Sequence, residues 1–155
     1  MACAAWAVGE AGVDLVDASV GWAGISAAGE DLVLHDSLCP MTPPDFIAAC
    51  LELARTTGHA VVGTRPVTDT VKVVDDGLLG ATLDRDALVA IASPLVLPAS
   101  LVASLPSRPD TDLARAVAAL TAAGHVVETL LAPPEARRVS STDDVRLLDA
   151  LTTAR

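Results

Sequence analysis

Residues 63–85 read GTRPVTDTVKVVDDGLLGATLDR, and the arrangement of the rest of the chain follows from this stretch. Polar and apolar side chains alternate with a period of two through Thr68–Lys72, and Leu78–Leu83 can return as a second strand after the turn residues Asp75–Gly77. Alternation on both sides of an Asp-Gly turn is typical of a β-hairpin. The stretch therefore predicts a hairpin that follows directly after a buried strand, Ala60–Val62.

Both sides of the predicted hairpin carry groups that suit a phosphate. Thr70 and Lys72 lie on one side, and Thr82 and Arg85 lie on the other. Arginine presents a planar fork of hydrogen-bond donors and lysine a point charge, and both bind phosphate oxygens. The spacing leaves two interpretations open: a phosphate-binding arm, or a surface hairpin whose polar side chains only face solvent.

The composition indicates a single domain, residues 1–155, with an aliphatic core and no nucleic-acid partner. The chain is 52% hydrophobic and has a net charge of −10, yet its aromatic residues are only Trp6, Trp22 and Phe46. Nucleic acids are bound by basic surfaces and by aromatic side chains on which bases stack, so this chain is a poor match for either mode.

Hydropathy and cysteine usage predict a cytoplasmic protein without a membrane segment. No apolar run approaches the length that spans a bilayer. The three cysteines, Cys3, Cys39 and Cys50, are an odd number without paired spacing. They fit a reduced compartment better than a disulfide framework, and their spacing is not that of a zinc site.

Outside the hairpin, predicted strands alternate with predicted helices. The strands are expected at Val13–Val16, Asp31–His35, His59–Gly63 and His125–Leu131, with a short extended piece at Ala136–Ser140. The helices are expected at Ser19–Ala28, from a Thr42 capping box to Gly58, at Thr111–Ala123, and after a second capping box at Ser141–Asp144. Four prolines between Pro94 and Pro109 predict only short elements there. The pattern predicts an α/β fold: a Rossmann-like, mostly parallel sheet flanked by helices, with a protruding β-hairpin arm.

Candidate binding residues lie at the predicted strand ends, where ligands bind in such sheets. Asp36 follows one strand and suits Mg²⁺ or a ribose hydroxyl, although loop entry or helix capping explains it equally well. Arg137 and Arg138 precede Ser140, Ser141 and a helix N-terminus, which favours anions. This is either a phosphate site or a surface ion pair of Arg138 with the acidic first turn of that helix. The chain contains neither a glycine-rich phosphate loop nor a Gly-x-Ser-x-Gly elbow.

Several segments, taken in order, resemble one enzyme family. They read DASVGWAGI at 17–25, VLHDSLCP at 33–40, VTDTVK at 67–72 with TLDR at 82–85, and ARRVSSTDDV at 136–145. They are similar to the S-V-x-x-G-L, V-H-D-A-A-R-P, V-x-D-T-x-K with T-x-x-R, and N-x-K-I-T-x-P-E-D-L segments of the 2-C-methyl-D-erythritol 4-phosphate cytidylyltransferases, which act in non-mevalonate isoprenoid synthesis.

The resemblance implies a function and a set of site residues. The family transfers a cytidylyl group from CTP to methylerythritol phosphate with Mg²⁺, and it forms a dimer in which the hairpin arm reaches into the partner's site. Ser19 and Asp36 would then bind the nucleotide, Asp36 also the metal, and Thr70, Arg85 and Arg138 the substrate phosphate. Residues 64–86 would be the dimerisation arm of a homodimer, and an isolated two-stranded hairpin is itself marginal unless it packs on something.

The chain also departs from the family. The family's L-P-A-A-G-x-G-x-R loop with its lysine has no match, Cys39 stands in place of the arginine of H-D-A-A-R, and Ser93–Leu95 in place of T-P-Q. We therefore expect a truncated, degenerate homologue without catalytic residues of its own: a pseudoenzyme that is a dimeric binding or scaffold module with a residual phosphate site. Two alternatives remain open. One is an active cytidylyltransferase, either through unusual nucleotide binding or with a partner chain that supplies the nucleotide loop. The other is an unrelated α/β protein whose similarity is accidental.

Overall fold

The computed structural model describes residues 2–17 and 19–153. Positions 1, 18, 154 and 155 of the predicted single domain, and the thiol of Cys3, lie outside this description. The helices are α1 (Ala2–Glu10), α2 (Trp22–Ala27), α3 (Pro44–Thr57), α4 (Ala99–Ser104), α5 (Leu113–Ala122) and α6 (Thr142–Thr153). The strands are β1 (Leu32–Leu34), β2 (Ala60–Pro66), β3 (Lys72–Asp75), β4 (Leu78–Thr82), β5 (Val89–Leu97) and β6 (Val127–Leu131).

Four of these strands form the main sheet, in the order β1-β5-β2-β6. Strands β1, β2 and β6 run in one direction, because β2 and β6 are parallel and β5 is antiparallel to both β1 and β2. The predicted α/β architecture with a sheet flanked by helices is confirmed, and the sheet is mixed since β5 opposes its neighbours.

Aliphatic side chains fill both faces of the sheet. On one face α1 and α3 pack against the sheet, and Ile47, Leu51 and Val61 belong to that cluster. On the other face α4 and α5 do the same, with Leu101 and Leu120 against β2 and β5. Burial of apolar area on both faces is the main favourable contribution to the free energy of folding. Aliphatic side chains supply this area, so the core needs few aromatic residues.

The proline pattern predicts only short elements in the region where the structure has the long strand β5. Pro94 lies inside this nine-residue strand, although proline cannot donate to a strand ladder. Val62 pairs with Leu95 while the next residue, Gly63, pairs with Ala92, so Ser93 and Pro94 bulge out of the ladder with β2. A bulge is where a strand accepts proline, because the missing N–H has no partner to lose.

The two predicted capping boxes have opposite outcomes. At α3 the prediction is wrong: Pro43 is the N-cap, and the buried Thr42 hydroxyl donates to the carbonyl of Cys39 at 3.0 Å. At α6 it is confirmed, because the N–H of Asp144 donates to the Ser141 hydroxyl and the Ser141 N–H donates back to the Asp144 carboxylate.

Three other predicted elements differ from the structure. The segment Val13–Val16 is irregular and not a strand, and Ala136–Ser140 is likewise not extended into one. The helix expected at Ser19–Ala28 is shortened to α2, since Gly21 is its N-cap. Isolated apolar runs form strands only where a neighbouring strand satisfies their backbone groups, and neither segment has such a neighbour in the described chain.

The hairpin arm, β3 and β4, forms a separate two-stranded sheet. Its turn contains Asp76 and Gly77, both with positive φ, as in the tight turns that join antiparallel strands. Every residue of both strands is exposed. The predicted hairpin and its protrusion from the core are therefore confirmed, but the first strand begins only at Lys72, so the alternating residues 68–71 precede it. No helix within the described part of the chain combines the length and apolar character that a membrane span requires.

The bulge predicts a specific sensitivity at Gly63. A Cβ added there would lie 3.0 Å from the Ser93 carbonyl oxygen and 3.2 Å from a ring carbon of Phe46. We expect Gly63→Ala to lower the free energy of unfolding by about 1–3 kcal/mol, because backbone and packed ring must both shift.

Urea denaturation followed by circular dichroism measures this change. The matched control is Gly9→Ala, since a Cβ on that residue of α1 meets nothing within 4 Å. In the interior of a helix this exchange stabilises by roughly 0.5–1 kcal/mol. Equal stability of the two variants would show that the bulge imposes no steric constraint.

Candidate functional site

The carboxyl ends of β1, β2 and β6 lie at one edge of the sheet because these strands run in the same direction. The loops after β1 and β6 are joined there by a 2.7 Å hydrogen bond from the Val139 N–H to the Leu38 carbonyl. From the end of β2, Arg65 donates to the Pro133 carbonyl at 2.9 Å. The fold therefore brings together the polar residues that follow the three strands.

At this edge Asp36 and Arg138 form an ion pair. The Nε of Arg138 lies 2.9 Å from Oδ2 of Asp36, and the side chains are 59% and 26% exposed, respectively. The hydrogen bond and the charge of Asp36 raise the pKa of Arg138. The structure thus unites the predicted metal ligand and a predicted phosphate ligand, and it replaces the partner expected for Arg138 in the first turn of α6.

The Ser93 hydroxyl fixes the start of the loop that contains Asp36 through hydrogen bonds. The N–H of Asp36 donates to the Ser93 hydroxyl at 2.9 Å, and this hydroxyl lies 2.6 Å from Nδ1 of His35. Ser93 is buried, and burial lowers the pKa of His35, which favours a neutral ring whose Nδ1 accepts from the hydroxyl. The second carboxylate oxygen of Asp36 accepts from the Leu38 N–H at 2.9 Å. Sequence reasoning missed Ser93, for which the only signal was the Ser-Pro pair in place of Thr-Pro.

Cys39 follows in the same loop and carries no charge. Its side chain is 2% exposed. Burial, and secondarily the charge of Asp36, raise its pKa to about 11. A buried neutral thiol cannot supply the positive charge of the arginine that the family has at this position.

The N-terminus of α6 is satisfied by a carboxylate of the chain itself. Asp144 Oδ2 accepts hydrogen bonds from the N–H and the hydroxyl of both Ser140 and Ser141, at 2.8–2.9 Å. Hydrogen bonds from Ser140 come first among the causes that lower the pKa of Asp144 to about 2. These donors were expected to face a phosphate, and instead they bind Asp144, with Arg137 3.9 Å from its other oxygen.

The remaining predicted site residues lie apart from this cluster. Thr70 is exposed at the base of the arm, and Arg85 donates to the Thr68 carbonyl at 2.9 Å. The exposed Ser19 donates its N–H to Asp17. Across residues 2–17 and 19–153, no hydrogen bond or ion pair in the structure joins Thr70, Arg85 or Ser19 to Asp36 or Arg138.

The cluster as it stands does not fit a magnesium ion. Within the described residues no group of three or more histidine, cysteine or acidic side chains is placed to hold a metal. Asp36 offers one carboxylate, and both of its oxygens already accept hydrogen bonds. Mg²⁺ prefers near-octahedral oxygen ligands and is usually bound with substrate phosphates, so this chain alone provides little of its coordination.

A hollow of about 720 Å³ lies on the opposite side of β1 from β5. It is bounded by the irregular segment 13–17 on one side and by Leu32–His35 on the other, and α1, α2 and α3 each contribute apolar side chains to it. In the described chain no strand pairs with the outer edge of β1.

Comparison with known proteins identifies relatives along nearly the whole chain. The family model for 2-C-methyl-D-erythritol 4-phosphate cytidylyltransferase (IspD) matches residues 11–153. The 2-C-methyl-D-erythritol 4-phosphate cytidylyltransferase of Nocardia farcinica is 36% identical over 137 residues, which are 83% of this chain and 57% of that protein. The enzyme of the same name from Rhodococcus jostii is 35% identical over 83% of this chain and 58% of its own. The chain thus spans little more than half the length of these curated relatives.

Solved structures share the fold. The crystal structure of 2-C-methyl-D-erythritol 4-phosphate cytidylyltransferase from Thermus thermophilus matches 91% of this chain and 73% of its own, with a TM-score of 0.62 and 22% identity. The 4-diphosphocytidyl-2C-methyl-D-erythritol synthase of Anaerococcus prevotii matches 80% of this chain and 59% of its own, with a TM-score of 0.61 and 18% identity. These neighbours confirm the Rossmann-like fold class, and the family match excludes an accidental similarity.

The four hydrogen bonds to Asp144 predict an acid sensitivity of α6. The folded pKa of about 2 lies below the ordinary value of 3.8. The stabilisation is therefore complete above the unfolded pKa and is lost as the pH falls through the folded one. We expect α6 to lose protection of its backbone amides between about pH 4 and pH 2.

Carbon-13 NMR titration of the aspartate carboxyls measures the pKa directly, and amide exchange follows the helix. Asp144→Asn should remove this pH dependence. Asp143→Asn is the matched control, because the neighbouring Asp143 bonds only Arg146 at the surface. A carboxyl at position 144 that titrates at its ordinary value would contradict the prediction.

Proposed function

Since this chain belongs to the 2-C-methyl-D-erythritol 4-phosphate cytidylyltransferase family, we propose that it is a non-catalytic homologue: a dimeric binding module with a phosphate site at Arg138. The observation that carries this proposal is the ion pair between Arg138 and Asp36. In this pair the Arg138 guanidinium lies at the carboxyl edge of the sheet, which supports a phosphate site there, and it occupies the carboxylate that the family resemblance assigns to nucleotide and metal.

The charges of the site argue against cytidylyl transfer by this chain alone. Transfer at phosphorus depends on positioning the reactants and neutralising the charge that develops on the oxygens. Asp36 is engaged by Arg138, Cys39 is neutral, and the sole lysine, Lys72, lies on the arm near the Gly80 carbonyl. Loss of one such donor commonly lowers a rate by about 10²–10³, and here more than one is missing.

The same geometry favours capture of a phosphate. Arg138 uses only its Nε in the bond to Asp36, and a guanidinium carries five N–H donors in a fork that matches phosphate oxygens. Arg138 is exposed and Asp36 is partly exposed, and ion pairs near the surface contribute only about 0–1 kcal/mol. A phosphate dianion therefore displaces Asp36 at little cost.

The hairpin arm supports a homodimer. Val74, Leu78 and Leu79 are 64%, 75% and 76% exposed on an arm whose two strands are exposed at every residue. A two-stranded hairpin with such side chains is stable only when it is covered. In the dimer that we propose, Thr70 and Arg85 of one protomer's arm contribute to the phosphate site of the other. The free thiols of Cys39 and Cys50 fit a cytoplasmic location.

A second candidate function is cytidylyl transfer from CTP to methylerythritol phosphate with the nucleotide loop supplied by another polypeptide. The specific observation in its favour is the hollow beside the open edge of β1. In that complex Ser19 and Asp36 would face the nucleotide.

Phosphate binding tests the first candidate. We expect methylerythritol phosphate and inorganic phosphate to bind by isothermal titration calorimetry, and Arg138→Ala to weaken binding about tenfold or more, as for the loss of a charge-assisted hydrogen bond. Asp36→Asn should strengthen binding about two- to fivefold, because it removes the competing carboxylate. The matched control is Arg146→Ala, a surface arginine that is likewise paired with one aspartate, Asp143.

Incubation with CTP, Mg²⁺ and methylerythritol phosphate separates the two candidates. The non-catalytic proposal requires that this chain release no pyrophosphate. Pyrophosphate release by the purified chain would establish the second candidate in its place. If Asp36→Asn weakens phosphate binding, the carboxylate is not the competitor that we infer.

The dimer is tested by substitution in the arm. Sedimentation velocity should give a dimer at micromolar concentration, and Leu79→Asp should convert it to monomer, because an interface cannot bury an unpaired carboxylate. Val126→Asp is the control, since Val126 is 53% exposed away from the arm. A monomeric unsubstituted chain, or equal dissociation of both variants, would contradict the role of the arm.

A further inference from the structure

The outer edge of β1 presents backbone groups with no strand beside them in the described chain. Leu32–Leu34 pairs with Leu95–Leu97 of β5 on the inner side. The N–H of Asp36 points to the same inner side, where it donates to Ser93. Alternation along a strand then turns the N–H and C=O of Val33 outward. An open edge of this kind is a template for another strand.

The hollow beside this edge has the volume of a short strand. A strand occupies about 4.8 Å in the plane of a sheet, 10 Å between layers and 3.3 Å per residue, so 720 Å³ holds roughly four or five residues. Val8 and Leu51 line it from one face and Ile25 from the other. The helical layers that cover the sheet therefore also cover the hollow, and a segment placed there would be buried on both faces.

The charges around the hollow disfavour an anionic occupant. Its lining includes the carboxylates of Asp14, Asp17, Glu30 and Asp31. Only two arginines line it: Arg55 pairs with Asp31 at 2.6 Å, and Arg108 donates to the Val20 carbonyl at 2.7 Å. A triphosphate would meet more negative than positive charge, whereas a neutral or basic peptide fits this rim.

We propose that the hollow is a docking slot for an extended segment of another polypeptide, which adds to β1 as a fifth strand of the main sheet. A strand covered on both faces is nearly continuously apolar. The occupant is thus a run of four or five apolar residues flanked by a basic residue, bound through main-chain hydrogen bonds to Val33. The slot extends to His35, next to Asp36, but binding of a peptide there requires neither Arg138 nor a phosphate, so either proposal can fail without the other.

A peptide of this chemistry tests the slot without nucleotide or phosphate. The probe is acetyl-Lys-Val-Ala-Val-Ala-Val-Lys-amide, added to the full chain labelled with nitrogen-15. We expect it to shift the amide signals of Val33 and of residues 13–17. At a peptide concentration ten times the dissociation constant, exchange of the Val33 amide with solvent should slow about tenfold. Protection of that one amide distinguishes an added strand from an apolar molecule that merely fills the space.

Two controls test whether binding depends on main-chain hydrogen bonds of the peptide and on the carboxylates that line the hollow. Peptides N-methylated at the alanines or at the valines cannot donate from alternate residues, and at least one of them should lose binding. Asp14→Asn with Glu30→Gln should weaken binding about two- to fivefold, whereas the matched pair Asp69→Asn with Asp86→Asn on and beside the arm should not. Unchanged exchange at Val33 in millimolar peptide, or displacement of the peptide by CTP, would overturn the proposal.

Discussion

The bulge in β5 is the constraint on which the rest of the structure depends. Every strand pairing of β1 runs through β5, and so does half of the pairing of β2. Ser93 and Pro94 leave the ladder opposite Gly63, where the backbones approach too closely for a side chain. The displaced Ser93 hydroxyl then reaches His35 and the Asp36 N–H. One irregularity therefore both admits proline into a central strand and fixes the loop that bears the candidate site.

Within that site, charged side chains pair with other groups of the same chain. Asp36 binds Arg138, and Asp144 takes the donors of Ser140 and Ser141. Cys39 stays neutral because it is buried. An enzyme that neutralises a triphosphate needs cations and amides that remain available to the substrate. This internal pairing is the reason why we propose binding, and not transfer, as the function of this chain alone.

The sequence correctly predicted those features that depend on interactions between residues close together in the chain. The arm follows from alternation around Asp75–Gly77, the α6 start from its capping box, and the meeting of strand ends from the α/β alternation. The full strand β5 was not predicted, because proline disfavours a strand unless it lies in a bulge. The bulge in turn depends on the pairing with β2. The ion pair of Asp36 with Arg138 was not predicted, because the two residues are 102 positions apart in the sequence. No sequence spacing signals a contact that the sheet creates.

The arm has one further consequence, which concerns amine chemistry. Lys72 is the sole lysine of the 155 residues, and it lies exposed on β3. Acylating reagents, lysine acetylation and bifunctional amine cross-linkers thus find no other side-chain target. Once the N-terminal amine is blocked, a single label can be placed on the arm without engineering the chain, and the environment of that label reports on the surface that the arm contacts.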